Sequence, residues 1–174
     1  LQAMNIPILT LEGYEADDIL GTVAKHCQAE GIEVSIVSGD RDLLQLADEH
    51  IKIRIPKTSR GTTNIYDYYP DDVKREYQVT PTEFIDVKAL MGDASDNIPG
   101  VPSIGEKTAT NLIVTYGSIE NAYDHVSEIK PPRAQKSLME HYDMAQMSKE
   151  LAAICITCPI PFSYEDALIG NLYT

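Results

Sequence analysis

Residues 33–55 read EVSIVSGDRDLLQLADEHIKIRI, and this stretch decides the fold. Glu33 to Val37 is a short, apolar, β-branched run, predicted to be a strand. Arg41 to Asp48 reads as a short helix, with Leu43, Leu44 and Leu46 facing inward. Ile51, Ile53 and Ile55 then alternate with Lys52 and Arg54, a period-two strand expected to end at Pro56. Moving toward the start, Glu15 to Glu30 reads as a helix. Ile19, Leu20, Val23, Ala24 and Cys27 lie at helical spacing, and Gly31 is its stop. Before it, Ile6 to Leu11 is expected to be another strand. Strand, helix, strand, helix, strand is the signature of an α/β layer with a parallel sheet.

Past Asp67 the pattern changes. No further strand is expected, and Tyr69 to Tyr77 and Thr82 to Met91 read as helices, each beginning beside a Pro. Glu106 to Tyr116, Ile119 to Val126, Arg133 to Tyr142 and Met144 to Ala153 complete a helical half. Ser118 and Ser148 are read as local caps, and Ile154 to Thr174 as an irregular or extended tail. The division is therefore 1–67, an α/β half, and 68–174, a helical half.

The 174 residues carry 14 Lys and Arg against 27 Asp and Glu, a formal net charge of −13. Residues 1–67 hold 6 basic and 11 acidic residues, and residues 68–174 hold 8 and 16, so neither half has a basic field. Function turns on how the charges cluster. Composition excludes disorder and collagen-like repeats, and no apolar run reaches the roughly 18 residues of a membrane span. An odd count of 3 Cys needs no disulfide framework, so a reducing, cytoplasmic setting is the default. The first residue is Leu1 rather than Met, which reads as a piece of a longer protein.

Seven carboxylates fall in three segments. Glu15, Asp17 and Asp18 open the first long helix, where the helix dipole alone favours acids. Asp40 and Asp42 follow the strand ending at Val37, at the sheet end where ligands of open α/β sheets sit, although one Asp there is accounted for as a helix cap. Asp93 and Asp96 lie in GDASDN, residues 92–97, a string that also reads as an ordinary turn. Together they form a set suited to hard ions such as magnesium or manganese. Two such ions roughly 4 Å apart are the common solution for phosphodiester cleavage. The 4 His lack ligand spacing, and Cys155 and Cys158 are a lone C-x-x-C, read as reduced thiols rather than a zinc site.

Gly100 to Ala109 reads GVPSIGEKTA. It is a Gly-bracketed hairpin running into a helix start, whose N–H groups and Lys107 suit a phosphate. Lys52, Arg54, Lys57 and Arg60 form a basic stretch with no acid in residues 50–61, read equally as a charged edge strand or a backbone contact.

The strings LEGYEADDILG (11–21), SGDRDLLQL (38–46) and LMGDASDNIPGVPSIGEKTA (90–109) resemble the 5′ nuclease domain of bacterial DNA polymerase I, in the flap endonuclease superfamily. Tyr116 to Asn121 and Ala145 to Ile154 agree more weakly. The resemblance implies a PIN-like (Rossmann-like) core and a helical region with a helix-three-turn-helix motif. It implies that Glu15, Asp17, Asp18, Asp40, Asp42, Asp93 and Asp96 are the catalytic metal-site acids for two Mg or Mn ions. It also implies that Gly100, Val101, Ser103, Ile104, Gly105, Lys107 and Thr108 grip duplex DNA, with a potassium ion at the hairpin. The expected function is metal-dependent 5′-3′ exonuclease and flap endonuclease action in replication and repair. A monomer, DNA bearing a 5′ flap, nick or end, and a covalently linked polymerase region in the parent protein are the expected partners. The family's first strand with an early acid, its second acidic site and its basic arch are not in this chain, so weak or no activity alone is expected. The family also has Gly where this chain has Ser103, and Gly105 is expected to need close approach and a positive φ. A noncatalytic duplex-binding module and a small-molecule phosphatase are the alternatives. The Gly100–Ala109 string argues against the phosphatase.

Overall fold

The computed structural model describes residues 1–4 and 6–168. A three-stranded sheet of order β1-β2-β3 is built from β1 (Val34–Val37), β2 (Ile51–Ser59) and β3 (Thr62–Tyr68). β1 and β2 are parallel, with Ile36 opposite Ile53, joined by a crossover through a 3₁₀ helix at Arg41–Leu46. Helix α1 (Ala16–Ala29) packs beside them. Leu43, Leu44, Ile51, Ile53 and Val73 are fully buried in this first core.

Three expectations need correction. The sheet is mixed, because β3 pairs antiparallel with β2, from Ile53 opposite Tyr68 to Ser59 opposite Thr62. The turn between them uses Arg60 and Gly61, both at positive φ, 49° and 81°. That is the backbone a two-residue hairpin demands, reached here with Arg in the first place instead of Asn or Asp. Pro56 does not end β2. It lies past Arg54, the last residue β1 pairs, where a missing N–H on that side costs no ladder bond. Residues 6–11 form no strand. Pro7 lacks a donor, and Pro7, Leu9 and Leu11 instead line a groove with Ile19 and Leu20 of α1.

The helical half holds α2 (Pro70–Tyr77), α3 (Pro81–Met91), α4 (Glu106–Tyr116), α5 (Ile119–Asp124), α6 (Pro132–Glu140) and α7 (Tyr142–Ala152). Leu90, Ile113, Ile119 and Leu138 are fully buried in its own core. Tyr77 and Phe84 pack against both cores, edge to face at 5.4 Å. Ser118 caps α5 through the N–H of Asn121. Ser148 is not a cap. It is wholly buried within α7, where its hydroxyl accepts the Gly100 N–H at 3.0 Å.

Past α7, residues 154–158 form an extended strap over α1. Cys155 N–H donates to Asp18 Oδ1 at 2.8 Å, and Cys158 N–H donates to Thr22 Oγ1 at 3.0 Å. A side chain at Gly21 would meet Ile154 at 3.0 Å and Ile156 at 3.3 Å, which is why this helical position is a glycine. The tail continues to one 3₁₀ turn, Tyr164–Ala167; the expectation for residues 169–174 lies outside the described residues.

Candidate acidic cleft and backbone hairpin

The helix starts and loops carrying the three acidic segments meet at one cleft of about 340 Å³, lined by Glu15, Asp17, Asp18, Asp42, Lys88 and Asp96 among others. Glu15 precedes α1, and its N–H donates to Asp18 Oδ2 at 3.1 Å. Asp40, which is not among the residues lining that cleft, caps its 3₁₀ helix by accepting the Asp42 N–H at 2.9 Å, the local role one Asp there was given. Asp93 accepts the Ser95 N–H at 2.8 Å, the turn that the sequence allowed.

At the centre sits a residue the sequence reading missed. Lys88 of α3 has a side chain only 5% exposed. Its ammonium donates to Asp42 Oδ2 and, at 2.6 Å, to Asp96 Oδ2, and lies 3.5 Å from Asp93 Oδ2. A buried ammonium without partners is strongly disfavoured, so these carboxylates hold Lys88 as much as it holds them. Burial pulls its pKa down, and the bonds to Asp42 and Asp96 more than reverse this, leaving it raised. A signal was present: Phe84, Val87, Lys88 and Met91 share one helical stripe, so a lysine occupies a position otherwise apolar.

The remaining titrations follow from crowding. Asp17 has a raised pKa, first from burial, then from Asp40, Asp42, Glu15 and Asp18. Asp42 is also raised, by burial first; Lys88 opposes this, and Asp40 and Asp96 add to it. Asp93 is lowered, chiefly by the Ser95 hydrogen bonds. The donor set is all carboxylate oxygen and already surrounds one positive charge, a chemistry that fits a hard divalent cation. Among the described residues, however, no three acidic, His or Cys side chains close on one point as a ready metal site.

The hairpin is built mainly from backbone. Gly100 has φ +66°, and a Cβ there would lie 2.5 Å from the Gly92 nitrogen. The Val101 N–H donates to the Leu90 carbonyl at 2.8 Å. Val101 and Ile104 are each 3% exposed, so their side chains serve the core and only their backbone can face a ligand. Ser103 is exposed at φ +68°, the left-handed region. Gly105 corrects an expectation: its φ is −90° and the space beside it is open. Lys107 is exposed at the start of α4 and makes no ion pair among the described residues, and Thr108 is half-buried beside it. The basic stretch is partly neutralised. Arg54 bonds Asp67 at 2.8 Å, Lys52 lies 3.7 Å from the same carboxylate, and Lys57 lies 3.6 Å from Glu76.

A short mixed sheet followed by helices and a glycine turn is the fold this chain shares with solved 5′-exonuclease structures. The chain belongs to the 5′-3′ exonuclease family: residues 1–78 match its N-terminal resolvase-like domain and residues 79–173 its C-terminal SAM fold. It is similar to DNA polymerase I of Bacillus caldotenax, 48% identical over 166 residues, and of Bacillus subtilis, 46% identical over 163 residues. Those matches cover 95% and 94% of this chain but only 19% and 18% of the relatives, so the chain spans about a fifth of their length. Among solved structures it resembles T5 5′-exonuclease with divalent zinc ions bound, TM-score 0.72 and 26% identity, covering 86% of this chain and 53% of that one. It also resembles the bacteriophage T5 D15 flap endonuclease in a pseudo-enzyme-product complex with DNA and metal ions, TM-score 0.70 and 25% identity, over 84% and 52%.

Proposed function

We propose that this chain is the acid-bearing and duplex-gripping part of a metal-dependent, structure-specific 5′ nuclease acting on DNA in replication and repair. The observation that carries the reading is the convergence of all three acidic segments on one cleft, with its third segment running directly into the backbone hairpin. Glu15, Asp17, Asp18, Asp40, Asp42, Asp93 and Asp96 are the residues for holding divalent magnesium or manganese. When bound, such ions offset phosphate charge and activate water.

This chain's own residues do the rest. The carboxylates repel a free phosphodiester, which keeps DNA out of the cleft unless cations are present. Lys88 keeps Asp42 and Asp96 turned inward. The hairpin from Gly100 to Gly105, with Lys107 and Thr108, holds the duplex backbone by N–H groups and charge, a mode that reads shape and strand ends rather than sequence. A potassium ion on its carbonyls belongs to the same reading. We place the boundary between the nuclease core and the helical DNA-binding region near residues 67 and 68, with Asp93 and Asp96 of the helical region completing the acidic set of the core. A monomeric, cytoplasmic domain linked to a polymerase region completes the proposal, by analogy with the DNA polymerase I relatives.

The test is a labelled 5′-flap duplex incubated with manganese, with and without chelator, alongside calorimetric titration of manganese into the chain. Manganese binding that is lost in Asp40→Asn, with chelator-sensitive release of 5′-phosphorylated product, is expected, the cleavage being slow. Absence of both manganese binding and duplex affinity sinks the proposal. A second reading is a noncatalytic duplex-binding module that uses the hairpin from Gly100 to Gly105, whose Val101 and Ile104 side chains are buried and leave their backbone to face a ligand. Duplex binding with no cleavage under any divalent ion is its mark.

A further inference from the structure

The strap over α1 carries a pair of thiols that the nuclease reading leaves unused. Cys155 is half-buried and reachable, while Cys158 is buried behind it. Their sulfurs lie 3.7 Å apart, with the Cys158 thiol directed at Cys155 Sγ. The backbone between them is pinned. Cys155 N–H is held by Asp18, Cys158 N–H by Thr22 Oγ1, and the same hydroxyl donates to the Cys155 carbonyl at 3.4 Å. Ile154 and Ile156 are seated against the bare surface at Gly21. Two sulfurs held this way are one short closure from the 2.05 Å or so of a disulfide bond. No third metal-ligating side chain joins them among the described residues, so the pair does not make a zinc site. Cys27, the remaining cysteine, is buried and distant in sequence.

We propose that Cys155 and Cys158 form a thiol–disulfide exchange site that takes small, preferably cationic, organic disulfides. Burial fixes the order of events. The reachable Cys155, as thiolate after giving its proton to solvent, attacks one sulfur of the small disulfide. A Cys155 mixed disulfide forms and one small thiolate leaves, taking up a proton. Cys158 then loses its proton to solvent and attacks the Cys155 sulfur. The Cys155–Cys158 bond forms and the second small thiol departs, protonated. Two protein thiols are oxidised and one disulfide is reduced to two thiols, so electrons and protons balance.

The preference for positive charge comes from position. Cys155 lines the same cleft as Glu15, Asp17 and Asp18, on a chain of net charge −13. With chelator present, so that no divalent ion offsets these acids, an anionic disulfide such as oxidised glutathione is repelled there, and a cationic one such as cystamine is drawn in.

The test treats the whole folded chain with cystamine or oxidised glutathione under native conditions with chelator present. The reaction is quenched with an alkylating agent and read by intact mass and peptide mapping. The expected product is a Cys155–Cys158 disulfide, with Cys27 unreacted, formed at least about tenfold faster by cystamine at low salt and with a smaller ratio at high salt. Cys158→Ala is expected to stop at a stable mixed disulfide on Cys155, and Cys155→Ser to be inert, each checked for folding by circular dichroism. Should Cys155→Ser react as fast as the parent, or the parent stop at the same mixed disulfide as Cys158→Ala, or closure require denaturant, there is no exchange site. Equal rates for the two disulfides at low salt overturn the charge preference alone. If Cys158→Ala fails to fold, the parent's mapped product still decides between closure and a dead-end adduct.

Discussion

The acidic cleft and the turn that follows it share the segment from Asp93 to Gly100 but are made of different material. The cleft is a meeting of side chains. Its tension is electrostatic: Asp17 and Asp42 are both harder to ionise than free carboxylates, and one buried ammonium offsets the crowd. The turn is a meeting of backbones. Gly92 and Gly100 touch through main-chain atoms, and a buried hydroxyl from α7 holds the Gly100 N–H. The difference teaches where tolerance lies. A cleft of charges can be rewritten without losing the fold, because solvent or a cation replaces what is removed. A turn of packed backbone cannot, because nothing smaller than hydrogen exists to put there.

The sharpest break of that comparison is Gly100→Ala. A Cβ 2.5 Å from the Gly92 nitrogen at φ +66° forces the two segments apart. We expect a loss of at least about 3 kcal/mol in urea denaturation. Gly105→Ala, five residues on, has open space and φ −90°, and is expected to stay within about 1 kcal/mol of the parent. Equal losses at the two positions would erase the distinction between a packed and an open glycine.

Next in size is Lys88→Met. It leaves Asp42 and Asp96 without their shared cation, and because those carboxylates are partly exposed we expect about 2–3 kcal/mol of apo stability to go rather than the full cost of a buried charge. Saturating manganese is expected to restore most of it. Thermal melts with and without manganese check this, and a deficit that persists unchanged with metal makes Lys88 a packing residue only.

Asp17→Asn is expected to move the other way, raising the apo melting temperature by about 2–4 °C, roughly 1 kcal/mol for a chain of this size. Its folded pKa lies above the ordinary 3.8. Ionised Asp17 therefore costs stability in full above the folded pKa, and this cost disappears below 3.8, where both states are protonated. The advantage of the variant is thus expected at neutral pH and to fade as pH falls through the acid range, which melts at stepped pH will follow. Ser103→Gly relieves a left-handed serine at φ +68° and is expected to gain up to about 1 kcal/mol, reduced by the extra freedom of unfolded glycine. Lys107→Ala, at an exposed position with no ion pair among the described residues, is expected to leave stability level while lowering the salt slope of duplex binding by about one charge. A duplex titration across salt concentrations measures it.

The sequence carried the periodic parts well. The run Ile51, Ile53, Ile55 falls where alternation puts it, because it has one buried face, whereas of the α1 stripe only Ala24 and Cys27 are buried and Ile19, Leu20 and Val23 line the groove with residues 7–11. The β2–β3 hairpin escaped because its turn residue is Arg60, held at positive φ by strand pairing on both sides, an effect no local preference announces. Ser148 misled for a related reason. A serine in a helical pattern resembles a cap, and only the arrival of Gly100 from 48 residues away makes it a buried acceptor. In the cleft the acids were legible, because unpaired carboxylates beside strand ends and helix starts stand out. For Lys88 only its burial was legible, from its place in an otherwise apolar stripe; its partners were not, because the acids it meets lie as far as 46 residues away in the chain.

The strap over α1 has a consequence for the order in which the molecule is assembled. Asp18 and Thr22 receive bonds from residues 137 and 136 positions further along the chain, and Gln45 bonds the segment at Ile154 from 109 positions away. Contacts of such span are the slow ones in folding, since a long loop must close before they form. A chain emerging from the ribosome presents α1 early and the strap late. The α/β half therefore waits, its first helix bare along the face of Gly21, until residues 154–158 have been made. Only then can the strap close over α1, adding its bonds to the contacts that Tyr77 and Phe84 make with both cores.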